Sequence, residues 1–484
     1  MTNSEQMQRF LEICIALTAE HDREALLSGI LDTAMDISDC DAGTLYLLED
    51  DVLHFCRMVT RSFGIRQGGH ADPITLPPVP LNPAYVCSWA VIHNESINVK
   101  NVRTDSTFDF SGSLRYDEMT GYNTQTMLVV PLANDKDVLI GAMQLINALD
   151  ENGNTVPFDP SVETLVHAIA SQAAISITNM QYSEQIIGLL DSLVGALSKA
   201  IDERTPYNAN HTRNMVSYGA SFLDWLDREQ SELRFDAIKR RTFLMSVWLH
   251  DVGKMVVPLE VMNKESRLGD GLERVQSRFA AMKLLTKIEL LEGKISEQEA
   301  ETRTEEIESG IAFIEKIDRA GFLPDGDLER VEQLASLTYT DENGEEKPWI
   351  TGDEKVCLSV RKGTLTAQER EIMESHASVT AKILAEVDFP REYDEVPVWA
   401  AAHHELLNGK GYPHHLKAEE IPFEVRLLTI LDVFEALTAK DRPYKPGMPA
   451  EKAIAILKSM VEEGSIDGEI LAMFEKSKAW EVTK

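Results

Sequence analysis

The stretch His403-His404-Glu405-Leu406-Leu407-Asn408-Gly409-Lys410-Gly411-Tyr412-Pro413 puts two adjacent imidazoles and a carboxylate directly before a Gly-x-Gly-Tyr-Pro turn. Such a turn lets the backbone approach a ligand closely, and the imidazoles offer metal-binding nitrogens. Upstream, Trp248-Leu249-His250-Asp251-Val252-Gly253-Lys254 supplies a second doublet. Doublets on separate helices can converge on one metal cluster. The apolar run Phe243-Leu244-Met245-Ser246-Val247-Trp248-Leu249 predicts a buried, rigid helix leading to His250 and Asp251, with Gly253 releasing the backbone beyond it. Asp432 lies within Leu427-Leu428-Thr429-Ile430-Leu431-Asp432-Val433-Phe434, where an unpaired carboxylate would be costly to bury and a metal partner is the natural explanation.

Together these motifs resemble the HD-GYP family of metal-dependent phosphodiesterases. Seven side chains follow that family's metal pattern in order: His211, His250, Asp251, His376, His403, His404 and Asp432. Neighbouring positions on a helix point about 100° apart, so His250 can bind one ion while Asp251 bridges to a second. Two close cations polarise a phosphodiester and activate water at neutral pH. Nitrogen and carboxylate ligands suit iron, manganese or zinc, and the resemblance implies iron or manganese in a dinuclear centre.

The resemblance also implies substrate contacts for Lys254, Tyr412, Arg442 and Lys445, with Asp251 and Lys254 in the catalytic roles. Departures accompany it. Tyr207 stands where members with a third metal carry a glutamate, and Asn214 stands where an arginine is expected. The spacing from Asp432 to Arg442 is one residue longer than in the family. Glu405 is expected to orient His403 or His404 through a second-nitrogen hydrogen bond.

Working outward toward the N-terminus, Ile187, Leu190, Val194, Leu197 and Ile201 are spaced 3, 4, 3 and 4, the seam of a coiled coil, so the helix over 181–202 predicts a parallel homodimer. Residues 6–38 predict two helices, with Asp22 as N-cap of the second. Short runs at 44–48, 52–56, 97–99, 126–130 and 139–146, bounded by turn residues, predict one antiparallel sheet with helices on one side. The segment Asp117–Thr124, the strand ending in Val130-Pro131-Leu132 and the run Ile140–Asn147 resemble a GAF sensory domain. Asn101, Phe108, Asp117 and Glu118 are the nearest matches to a nucleotide-related motif in that family, although no lysine follows Asn101. The ligand of this domain is unknown.

Between the second doublet and His376, about residues 265–362 are acidic and helix-rich and foreign to the motif framework. They predict an inserted helical hairpin with an irregular end, in which Asp341–Pro348 is a solvated turn.

Composition sets the outer bounds. At 484 residues the chain predicts about three units. A net charge of −33 argues against DNA as a partner, since an acidic surface repels phosphate backbones. An anionic substrate then requires metals and local cations to invert the field within one cleft. Five scattered cysteines without a Cys-x-x-Cys pair, no basic-then-apolar N-terminal run and no long apolar stretch fit a cytoplasmic protein not inserted in a membrane.

The reading that results is an α+β GAF domain over 1–180, a coiled-coil linker helix over 181–202 and an all-α HD-GYP domain over 203–484. The implied reaction is hydrolysis of cyclic di-GMP to linear pGpG, with onward cleavage to GMP left open. The alternatives are cleavage of another cyclic dinucleotide such as cyclic GMP-AMP, or a non-catalytic dinucleotide receptor.

Overall fold

The computed structural model describes residues 22–69, 71–204, 210–439 and 447–481. The chain divides into two compact units, Met1–Leu189 and Leu190–Lys484.

The first unit is built on an antiparallel sheet in the order β3-β2-β1-β7-β6-β5, with β4 on β2 and β8 on β7. Its strands are β1 (Cys40–Glu49), β2 (Val52–Thr60), β3 (Ile65–Gln67), β4 (Val79–Pro80), β5 (Ile97–Val99), β6 (Met127–Ala133), β7 (Leu139–Leu149) and β8 (Thr155–Val156). Helices cover both faces, not one as the sequence predicts. Leu45, Leu47, Leu128, Val130, Met143 and Leu145 pack under α1 (Arg23–Ile37) and the start of α4 (Pro160–Asp202). The alternate residues Tyr46, Met127, Val129 and Ala142 face α2 (Val86–His93) and the approach to α3 (Ser111–Thr120). Burial on both faces explains why these strands read as continuous apolar runs. Asp22 caps α1 by accepting from the Ala25 amide at 2.7 Å; the helix expected before it lies outside the described residues.

A cavity of about 420 Å³ opens between the sheet and α3, lined by Thr44, Tyr46, Val86, Phe110, Tyr116 and Gln144 among others. Asn101, Phe108, Asp117 and Glu118 are not in its wall. Buried Asp117 instead accepts from Arg103 Nη2 at 2.6 Å and from the Thr124 amide at 3.0 Å, fastening α3 to the segment before β6.

The second unit is helical. Its main core joins α5 (His211–Arg228), α6 (Ala237–Leu249), α14 (Phe423–Thr438), α15 (Ala450–Glu462) and α16 (Gly468–Ser477) through Met215, Phe222, Phe243, Leu431, Phe434, Leu457 and Phe474. A smaller core packs Ile201 and Val194 from the end of α4 against Met245, Leu249, Val396 and Ala400. The seam predicted on α4 is thus divided: Ile201 is 6% exposed, whereas Ile186, Leu189, Leu190, Leu193 and Leu197 are all more than 40% exposed. The exposed stripe is rotated from the predicted one because Val194 and Ile201 are taken up by their own unit.

After α7 (Leu259–Met262), the inserted segment has a separate core in which Val275, Phe279, Ile307, Ile314, Val331, Leu334 and Trp349 meet. It comprises α8 (Gly271–Leu291), α9 (Glu297–Asp318), α10 (Asp325–Ser336), a hairpin of β9 (Thr338–Thr340) and β10 (Glu346–Pro348), and α11 (Gly352–Leu358). The predicted turn over 341–348 therefore includes a strand: Asp341 Oδ1 accepts from the Asn343 and Glu345 amides at 2.9 Å, which folds the chain back on itself. Fully buried Arg267 donates to the Ile317, Ala320 and Val360 carbonyls, and Thr364 Oγ1 donates to the Lys264 carbonyl at 3.0 Å, so entry and exit are fastened together. The chain then continues into α12 (Ala367–Leu384) and α13 (Val396–Ala401).

Candidate metal centre

Five helices bring the sequence-predicted ligands together. His211 opens α5, His376 sits inside α12, Asp432 sits inside α14, and His403 and His404 follow the end of α13. His250 caps the C-terminus of α6, and Asp251 precedes a 3₁₀ turn over Val252–Val256. The His-Asp doublet thus lies at a helix end, not within a helix as expected.

Gly253 serves a purpose other than release of the backbone. A Cβ there would lie 1.9 Å from the His376 carbonyl oxygen and 2.7 Å from the Thr380 amide, so only glycine lets the turn rest against α12. Thr380 Oγ1 reinforces that contact by accepting from the Gly253 amide and donating to the His250 carbonyl, both at 3.0 Å. At the other motif, a Cβ on Gly411 would meet the Leu406 amide at 2.2 Å, which fixes glycine in the tight return before Tyr412.

Asp251 stands at the centre of the cluster. Its Oδ1 faces His376 Nε2 at 3.5 Å and His403 Nε2 at 3.8 Å; its Oδ2 faces His250 Nε2 at 3.1 Å and His211 Nε2 at 3.8 Å. Asp432 faces His211 Nε2 at 3.4 Å and His404 Nδ1 at 3.7 Å. Three triads have ligating atoms within 4.8 Å of one another: His376, His403 and His404; His211, His250 and Asp432; and His250, Asp251 and His403. Lys254 Nζ donates to Asp251 Oδ2 at 2.5 Å.

The outer nitrogens of four histidines are anchored. His250, His376 and His403 donate from Nδ1 to the Val247, Met373 and Ala400 carbonyls at 2.7, 2.6 and 2.7 Å. His211 donates from Nδ1 to Glu435 Oε2 at 2.5 Å. Each anchor leaves an Nε2 lone pair aimed at the carboxylates.

Buried His211 Nε2, His250 Nε2 and Asp251 Oδ1 have no hydrogen-bond partner. Orphaned polar atoms buried side by side are unfavourable unless a cation takes their lone pairs, and this donor set of imidazole and carboxylate suits a divalent metal centre.

The electrostatics agree. Burial pushes the imidazoles of His376 and His403 below the ordinary range, and that of His404 down to about 4, so they offer neutral lone pairs. Burial works against the charged forms of Asp251 and Asp432 as well, but the surrounding histidines, with Lys254 at Asp251, outweigh it and keep both carboxylates below their usual range. His211 differs: burial opposes its charged form, yet the carboxylates of Asp432 and Glu435 raise it to about 10, so it carries a proton on Nε2 that a bound cation would displace.

Glu405 does not orient a histidine. It accepts from the His414 and Leu416 amides at 2.6 and 2.9 Å and fixes the loop after the Gly-Tyr-Pro turn. The orienting carboxylate is Glu435, itself held by Asn214 Nδ2 at 2.9 Å. Sequence reasoning missed Glu435, although it lies one helical turn after Asp432 in the same apolar stretch and the cost of burying an unpaired carboxylate applies equally to it. Tyr412 packs its ring on His404 with centroids 4.7 Å apart. Tyr207, Arg442 and Lys445 lie outside the described residues.

Residues 22–177 match the GAF domain family and residues 353–470 the HD domain family. The second match contains His376, His403, His404 and Asp432 and starts at the last helix of the inserted segment. Over 115 residues the chain is 36% identical to 3'3'-cGAMP-specific phosphodiesterase 3 of Vibrio cholerae serotype O1, covering 24% of each protein. Over 103 residues it is 35% identical to a cyclic di-GMP phosphodiesterase of Thermotoga maritima, covering 21% of this chain and 27% of that one. The chain thus spans about a quarter of the length of these curated relatives. A crystal structure of the GAF domain from an Acinetobacter phosphoenolpyruvate-protein phosphotransferase covers 38% of this chain and 97% of its own, at 14% identity and a TM-score of 0.29. The chain carries a GAF domain and an HD domain.

Proposed function

We propose that this chain is a metal-dependent phosphodiesterase of the HD-GYP type that opens cyclic di-GMP to linear pGpG and cleaves that product onward to GMP, regulated by its GAF domain. The observation that carries this reading is Asp251, whose two oxygens face separate pairs of histidines while Lys254 stands beside it.

His211, His250, Asp251, His376, His403, His404 and Asp432 would hold two ions, with Asp251 common to both; this donor set suits zinc as well as iron or manganese, and the resemblance to the HD-GYP family favours the latter two. Such ions supply Lewis-acid polarisation of the phosphodiester and activation of water. The protein's own groups supply position. Lys254 offers an ammonium to a phosphate oxygen. Tyr412 fixes the His404 ring and lines the approach to it, and Arg442 and Lys445 add positive charge for a substrate with two phosphates. The GAF cavity takes a ligand of unknown identity, and the exposed stripe on α4 supports a homodimer. The acidic chain disfavours DNA, and the scattered free cysteines fit a reducing cytoplasm.

The Vibrio relative favours one second reading, cyclic GMP-AMP as the preferred substrate. Metal-loaded protein incubated with cyclic di-GMP, cyclic GMP-AMP and a nonspecific phosphodiester, with products separated by chromatography, tests both. Preferential opening of cyclic GMP-AMP keeps the chemistry and changes the substrate. No linear product from any cyclic dinucleotide, despite a full metal site, leaves the receptor reading.

A further inference from the structure

Buried Val252 and Val257 hold the two ends of the turn that carries Lys254. Met255 is 48% and Val256 60% exposed, so burial of these two contributes little to its position. Backbone bonds do more. The Lys254 amide donates to the Asp251 carbonyl at 2.9 Å, and the Val257 amide donates to the Lys254 carbonyl at 3.2 Å.

One side chain gathers the carbonyls of this turn. Arg204 donates from Nη1 to the Lys254 carbonyl at 2.7 Å and to the Met255 carbonyl, and from Nη2 to the Val257 carbonyl at 3.2 Å. Arg204 lies two residues past the end of α4, and its own amide donates to the Ile201 carbonyl at 3.0 Å. The same helix end is anchored beside a second ligand: buried Asp202 accepts from Thr212 Oγ1 at 3.2 Å, next to His211. Ile201 packs on Met245 and Leu249 of the helix leading to His250.

We propose that Arg204 is a positioning residue for Lys254, and that the end of α4 acts on the reaction through this clamp. The proposal rests on the phosphodiesterase reading above. A planar guanidinium that joins three carbonyls fixes the backbone of the turn, which aims the ammonium at Asp251 and the substrate phosphate. A shift or rotation at the end of α4 would then reach the Lys254 backbone through Arg204.

The test uses the full chain, metal-loaded, as wild type, Arg204→Ala and Arg204→Lys. Hydrogen exchange is followed at the amides of 252–257, metal content is measured, and kcat and KM are determined on cyclic di-GMP. In Arg204→Ala, exchange at Lys254 and Val257 should quicken, metal content should stay at the wild-type level, and kcat/KM should fall about tenfold or more. Arg204→Lys should be intermediate, since an ammonium cannot span three carbonyls. Unchanged exchange would overturn the clamp. Faster exchange with unchanged kinetics would overturn its link to Lys254, and loss of metal or of the overall fold would make Arg204 a general structural residue. If the wild type opens no cyclic dinucleotide, the functional reading falls on that ground, and the clamp is judged by exchange, which needs no substrate.

Discussion

Glu435 Oε2 accepts a hydrogen bond from His211 Nδ1 at 2.5 Å across 224 residues of sequence, and so decides which nitrogen of His211 faces the cluster. Glu435→Gln keeps the shape but weakens the acceptor and removes its charge. Metal affinity should fall about 10- to 100-fold, as for other outer partners of ligating histidines. Competition with a chelator of known affinity measures it; unchanged affinity would show that the Glu435 charge is not needed to set His211 for metal binding.

Elemental analysis of protein purified without oxygen should find about two transition-metal ions per chain, the stoichiometry of a bridged pair. Asp251→Ala removes the group common to both histidine pairs and should empty at least one site. Retention of both ions in that variant would refute the bridging role.

Lys254 and Tyr412 should separate binding of metal from use of substrate. Lys254→Ala should leave the ions in place and lower kcat/KM on cyclic di-GMP by about tenfold or more, the loss of one charged contact. Tyr412→Phe keeps the ring against His404 and should be milder than Tyr412→Ala, which removes that packing. Equal loss in both tyrosine variants would assign the effect to the hydroxyl.

The α4 helix yields two outcomes from neighbouring residues. Charged substitutions at exposed Leu190 and Leu193 should weaken self-association measured by light scattering, without unfolding. Ile201→Ala instead removes a buried side chain, and should cost about 2 to 4 kcal/mol in denaturant unfolding of the second unit. Unchanged mass for the leucine variants would remove the dimer from the proposal.

In the inserted segment Arg278 donates to both oxygens of Glu354, at 2.6 and 2.9 Å. Burial would raise the Glu354 carboxyl, but this pairing and the cap on Thr351 outweigh it and hold it below the ordinary value of 4.5. A depressed carboxylate stabilises the folded state above its unfolded pKa and loses that contribution as pH falls through its folded pKa. Glu354→Gln should therefore lower stability by about 2 kcal/mol at neutral pH. The difference between variant and wild type should shrink below about pH 4.5. A pH-independent difference would exclude the charge as its origin.

The seven cluster residues were legible through the resemblance to the HD-GYP pattern, with Asp432 marked also as a carboxylate stranded in an apolar stretch, and the seven do meet in one place. Glu435 carried the same signal and escaped notice because its partner is distant in sequence. The 3₁₀ turn after His250 was not legible: its cause is the approach of Gly253 to α12, a tertiary contact that leaves no local pattern. The strands were clear as short apolar runs, but that both faces of the sheet meet helices depends on α2 and α3, whose own sequences carry weak periodicity. On α4 the spacing identified an apolar seam; packing of Val194 and Ile201 inside the second unit moved the exposed stripe to its neighbours.

The absence of a side chain at Gly253 makes the main chain itself the ruler of the cluster. The span between Asp251 and His376 is set by a turn resting on a carbonyl, with no side chain in between to grow, shrink or repack. Drift in the surrounding apolar residues can therefore leave that span untouched, whereas a single methyl group at position 253 would push the turn off α12 and carry Asp251 away from His376.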